Sequence, residues 1–163
     1  METQTLTPPA GFTPHDRKSP VTDPWEPIYG RKVEGTVVLG LRAGHAHTNS
    51  RGFVHGGLIS ALADNAMGLS CARTLGDVSS LVTVNLTVDF HTFHPEEQWM
   101  LADATGTHAS DGLLGADTRM WARNGDLLVT AHSQMTYHDF SEPKVTEGMQ
   151  TTWFDLRETD PES

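Results

Sequence analysis

Residues 57–75, GLISALADNAMGLSCARTL, are apolar or small almost all the way round a helical wheel. A surface helix carries one apolar stripe and one polar face, so a run without that contrast must be enclosed. This is the one long helix the sequence predicts. Its small residues (Ala61, Ala63, Ala66, Gly68, Ser70 and Ala72) allow close packing against a curved sheet. Around it the chain reads as strands. Val33, Gly35, Val37, Leu39 and Leu41 alternate with Glu34, Thr36 and Arg42, a period of two. Val82, Val84, Leu86, Val88 and Phe90 alternate with Thr83, Asn85, Thr87, Asp89 and His91, which predicts one packed face and one polar face. Pro95 closes the gap after that strand, and further strands follow at 98–108, 114–123 and 127–138. Asn124-Gly125 marks a hairpin whose two central residues take positive φ. The order of strand, long helix and four antiparallel strands is an α+β fold: one buried helix wrapped by a curved antiparallel sheet.

The 163 residues suit one domain with short extensions. Residues 1–30 read as an N-terminal arm. Pro8, Pro9, Pro14 and Pro20 keep its first part irregular or extended, and DPWEPIYG forms a short turn or helical piece that docks Trp25 on the body. Residues 31–140 are the body. Residues 141–163 are an acidic tail in which Trp153, Phe154 and Leu156 could pin a short segment to the surface or to a partner subunit. Eleven basic residues stand against 21 acidic ones, a net charge of −10. That balance excludes a non-specific nucleic-acid binder and a polybasic membrane-surface protein. No apolar run approaches the ~20 residues of a membrane span. The N-terminal residues lack a signal pattern and Cys71 is the single cysteine, so a reducing cytoplasm is expected.

Asp64 lies halfway along the apolar helix, where a carboxylate is costly unless paired or used. Arg73 is the charged helix neighbour, nine positions on and off the i+3/i+4 ladder. Such a residue is either functional, or faces water or a neighbouring subunit. The second feature is the loop NSRGFVHGG, residues 49–57, ending in Gly56-Gly57. Glycines at a helix start let a ligand approach the backbone, and the first amides there lack internal acceptors. A ready oxyanion site results, although an ordinary glycine-rich helix start has the same pattern.

Together, Asn49, His55, Gly56, Gly57 and Asp64, spaced Asn-x5-His-Gly-Gly-x6-Asp, resemble the PaaI-type acyl-CoA thioesterases of the hotdog superfamily. The stretch NSRGFVHGGLISALADNAMG and the strand VTVNLTVDF look like that family too, and the resemblance covers residues 31–140. It implies a hotdog fold, in which the sheet wraps the central helix, and hydrolysis of an acyl-CoA to free acid and CoA. It implies that the Gly56 amide is the oxyanion hole and Asp64 the catalytic carboxylate, as general base or nucleophile. Asn49 and His55 would place the thioester or the water, while Gly57 and Thr83 would contact substrate. No cofactor is expected, since CoA belongs to the substrate.

The sequence departs from the family at the turn His108-Ala109-Ser110-Asp111-Gly112, acidic where relatives often hold CoA phosphates with basic residues. Arg73, Arg119 and Arg123 remain as candidates for that role. His91 and His94 read as exposed strand-end residues, with the acyl pocket as the other reading. The nine histidines are scattered, apart from His45-x-His47 and His91-x2-His94, and no metal is expected. Gly57 and Asp64 are seven residues apart, which is about 10 Å along a helix at ~1.5 Å per residue. One chain therefore cannot bring its own Asp64 to its own Gly56 amide, and a homodimer, or a homotetramer as in the family, is expected. The competing function is a non-catalytic acyl-CoA-binding or sensor module on the same fold. A hotdog dehydratase or hydratase would need a differently spaced Asp-His pair, which the chain lacks.

Overall fold

The computed structural model describes residues 7–15, 19–34, 36–76, 81–108 and 113–137. The acidic tail with Trp153, Phe154 and Leu156, and residues 109–112 of the acidic turn, lie outside the described residues. The strands are β1 (Thr13–Pro14), β2 (Ile28–Val33), β3 (Thr36–Arg42), β4 (Leu81–Phe90), β5 (Trp99–His108), β6 (Leu113–Ala122) and β7 (Leu127–Tyr137), with the helix α1 (Gly56–Thr74) between β3 and β4. They form one antiparallel sheet in the order β1-β2-β3-β5-β6-β7-β4. Helix α1 crosses one face, burying Leu62, Ala66 and Met67 against Met100, Ala104 and Met120.

The expected helix and four later strands are present within a residue or two at each end. Small residues decide how closely the helix sits. At Gly106 an added Cβ would stand 2.8 Å from backbone atoms of Ser70 and Cys71. Next to that contact, the fully buried Ser70 reaches into the sheet: its Oγ donates to the Ala104 carbonyl at 2.7 Å and accepts from the Val37 amide at 3.3 Å.

Five expectations need correction. The strand predicted from Val33 to Leu41 straddles a hairpin, in which Val33 ends β2 and Thr36 begins β3, and β1 adds an edge strand from the arm. Every residue from Val37 to Leu41 is buried, because the arm covers the outer side of β3 and Phe12 packs on Gly40. The helix is not enclosed all round: Ala61, Asp64, Asn65, Gly68 and Leu69 are only half-buried. Strand β4 is an edge strand, largely exposed on both faces, and a bulge interrupts its alternation between Thr83 and Asn85. Finally, only Gly125 of the Asn124-Gly125 pair has positive φ (93°), since the turn from Ala122 to Asp126 is one residue longer than the two-residue type.

Trp25 meets its expectation: Asp23–Trp25 is one turn of 3-10 helix, and the indole packs against the core.

Candidate active site

The loop before α1 builds itself from its own polar groups. The Asn49 carboxamide oxygen accepts from the amides of Arg51 (2.9 Å) and Phe53 (3.3 Å), and the Asn49 amide donates to the Phe53 carbonyl at 2.7 Å. Gly52, at φ 76°, supplies the left-handed step that closes this turn. The Asn49 oxygen is thus committed to the loop, and its NH2 group is what it can offer a ligand.

His55 is the N-cap of α1. Its Nδ1 accepts from the Gly57 amide at 2.9 Å, so the ring proton sits on Nε2, which can only donate. The Leu58 and Ile59 amides both donate to the His55 carbonyl. Gly56 is the exception: among the described residues its amide meets no acceptor. Its backbone conformation is ordinary, and the space over it is tight: an added Cβ would stand 3.3 Å from Cζ of Phe90, whose ring would have to give by a few tenths of an ångström.

Asp64, two turns on, accepts a hydrogen bond from the Thr83 hydroxyl at 2.9 Å. The bulge in β4 makes this contact possible. Leu86 pairs with the buried Ser133 and so faces the helix; strict alternation would turn Thr83 away from it. The extra residue at position 84 restores Thr83 to the helix side. Asp64 and Gly56, eight positions apart, stand about 12 Å from each other along the axis at ~1.5 Å per residue. The chain brings together Asn49, His55, Gly56 and Gly57 at one end of the helix, and Asp64 with Thr83 at its middle, but does not join the two sets. Arg73 lies a further ~14 Å along α1 by the same spacing, and Arg119 faces the outer side of the sheet beside Asp103 and Asp117.

A cavity of about 460 Å³ opens against Gly56, between the loop and the end of β4, with walls that include Arg51, Phe53, Ile59, Phe90 and Phe93. Sequence reading missed these residues, because nothing in the sequence tells that the end of β4 meets the start of α1. The Phe53 and Phe93 rings lie 4.6 Å apart between centroids. His91 is exposed as expected and hydrogen-bonds Thr130 at 2.9 Å. His94 is not: it is buried, its Nε2 lies 3.4 Å from the Gln98 carbonyl, and burial holds its imidazole below the usual range. A groove of about 540 Å³ on the outer sheet face is larger, but it touches neither Gly56 nor Asp64.

Comparison with known proteins gives the family and the fold. The profile described as acyl-CoA thioesterase C-terminal domain matches residues 9–137. A Pseudomonas aeruginosa protein named as an esterase is 39% identical over 126 residues, 77% of this chain and 92% of that protein. Among solved structures, the Escherichia coli PaaI protein from the phenylacetic acid degradation operon superposes with a TM-score of 0.67 at 17% identity, covering 75% of this chain and 86% of its own. A hypothetical thioesterase from Streptococcus pneumoniae, solved with coenzyme A, gives 0.63 at 18% identity, over 69% and 90%. These two likenesses establish the hotdog fold. Among the described residues, no helix is long and apolar enough to cross a membrane.

Proposed function

Because the chain belongs to the acyl-CoA thioesterase C-terminal domain family, and is therefore a thioester hydrolase, we propose that it hydrolyses an acyl-CoA to the free acid and CoA at a site shared by two copies of the chain. The observation that carries this reading is the pairing of one unused helix amide, Gly56, with one oriented carboxylate, Asp64, at positions that a single chain holds apart. Strand β4 offers the surface for a second copy. Val82, Val84, Leu86 and Phe90 are all exposed on this unpaired edge, a pattern that stable monomers avoid. The half-buried stripe of α1 that carries Asp64 borders it. A two-fold across these elements sets Asp64 of one chain opposite the Gly56 loop of the other.

In this reading the thioester carbonyl accepts from the Gly56 amide, and His55 donates near it through Nε2. Asp64 takes a proton from water as that water attacks the acyl carbon. The Thr83 hydroxyl fixes one carboxylate oxygen and leaves the other for the water. The thiolate of CoA departs unaided, since thiols have a pKa near ~8.5. The Asn49 NH2 group is the remaining donor for the thioester or the water. One turnover in heavy-oxygen water tests for direct attack by Asp64: label on Asp64 would establish the nucleophile, while label in the released acid with none on Asp64 is expected, an outcome shared with an anhydride that water opens at the acyl carbon.

The decisive experiment is release of free thiol from a panel of CoA esters, from acetyl through long-chain and aryl. Hydrolysis that disappears in Asp64→Asn is expected. Tight binding of the esters without turnover would instead make the protein an acyl-CoA-binding module.

A further inference from the structure

In a chain with almost twice as many acidic as basic residues, the cavity at Gly56 contains no described carboxylate, yet Arg51 and two histidines line it. Arg51 makes no ion pair among the described residues, and its guanidinium is charged at every working pH. Beside it, Phe53, Ile59, Phe90 and Phe93 provide an apolar wall. From this composition, and resting on the thioesterase reading above, we propose that the acyl group taken here has an apolar stem and an acidic end. The substrate is then a CoA monothioester of a dicarboxylic acid, with Arg51 holding the free carboxylate.

Position separates this from a role in holding CoA phosphates. The exposed Arg51 and Gly56 line the same open pocket, and in the reading above the thioester carbonyl sits at Gly56. The CoA diphosphate is carried by an arm with two amide units, on the order of 15 Å when extended. An anion within reach of both Gly56 and Arg51 belongs to the acyl group. The catalytic carboxylate makes a fixed positive charge more necessary, since an acidic acyl group would otherwise be repelled by the Asp64 that works on its carbonyl.

The test is equilibrium binding of two non-hydrolysable CoA thioethers, carboxybutyl and pentyl, which differ at the chain end. The carboxybutyl compound should bind at least about tenfold tighter, the scale of a hydrogen bond to a charged group. That preference should vanish in Arg51→Gln and survive in part in Arg51→Lys, which also shows that a folded variant can keep it. Equal affinities in the unaltered protein, or a preference unchanged in Arg51→Gln, would overturn the proposal. So would equal weakening of both compounds in Arg51→Gln, which would put Arg51 on the CoA phosphates. In turnover, the ratio of kcat/KM for glutaryl-CoA over pentanoyl-CoA should fall about tenfold in Arg51→Gln. A binding preference that follows Arg51 while no CoA ester is hydrolysed would remove the catalytic reading and leave the anion site standing.

Discussion

Gly56 and Gly57 stand side by side, yet only Gly56 has an amide to offer a substrate, because His55 has taken the other. The cap therefore shapes the site by subtraction. It also fixes the role of the histidine, whose Nδ1 is occupied and whose Nε2 carries the proton. His55→Ala should accordingly lower activity through both kcat and KM, and by less than the loss of Asp64. Asp64→Asn keeps the shape and the Thr83 contact but removes the base, so kcat should drop roughly a hundredfold to ten-thousandfold with little change in KM. Steady-state kinetics of the two variants would settle the ranking; a larger kcat loss in His55→Ala would reverse the roles. His94 makes a prediction about stability. Its folded pKa is below 6.5, so below that pH the unfolded chain binds the extra proton. Stability is full above about pH 6.5 and falls as the pH drops toward the folded value. Urea midpoints at about pH 7.5 and pH 5 should show a smaller acid loss in His94→Gln than in the unaltered protein.

The contact of α1 with the sheet depends on a missing side chain and on a hydroxyl. Gly106→Ala would place a methyl group against the helix backbone, which cannot swing aside as a side chain can. Either the helix or β5 must move, at a cost of roughly 1–3 kcal/mol. Ser70→Ala removes the group that both donates to Ala104 and accepts from Val37 in a fully buried setting. It should cost about 1–3 kcal/mol, the penalty for orphaned buried polar groups. Denaturant titration of both variants checks these values, and a change below about 0.5 kcal/mol in either would show that the contact relaxes freely.

In the whole molecule, one edge of the sheet is finished by the short β1 and the other by a ten-residue strand with exposed apolar side chains. The shared-site reading makes that second edge functional, and complementation tests it. Gly56→Val sets its side chain against Phe90, and Asp64→Asn removes the base, so each variant alone should be nearly inactive. Subunit exchange between them should restore about a quarter of wild-type activity, since half the random dimers are mixed and each has one intact site of two. No recovery despite demonstrated exchange would mean that the site is contained in one chain.

Much of this molecule was legible in the sequence, because helix and strand periodicities are local and the loop-helix motif is contiguous. The order of elements, the extent of α1, and the placement of Asn49, His55, Gly56 and Asp64 along the loop and helix all follow from short-range pattern. Even the separation of Asp64 from Gly56 is a property of helical rise. The tertiary structure decided what depends on register and on contacts between distant segments. A one-residue bulge brings Thr83 to Asp64, although strict alternation would turn it away. Phe12 covers the outer side of β3 and turns an alternating strand into a buried one. The end of β4 returns to the start of α1 and sets Phe90 against Gly56, creating a cavity whose walls are forty residues apart in the chain. A side chain's direction in a strand flips with each inserted residue, and no local pattern fixes which segments will meet once the sheet curves around its helix.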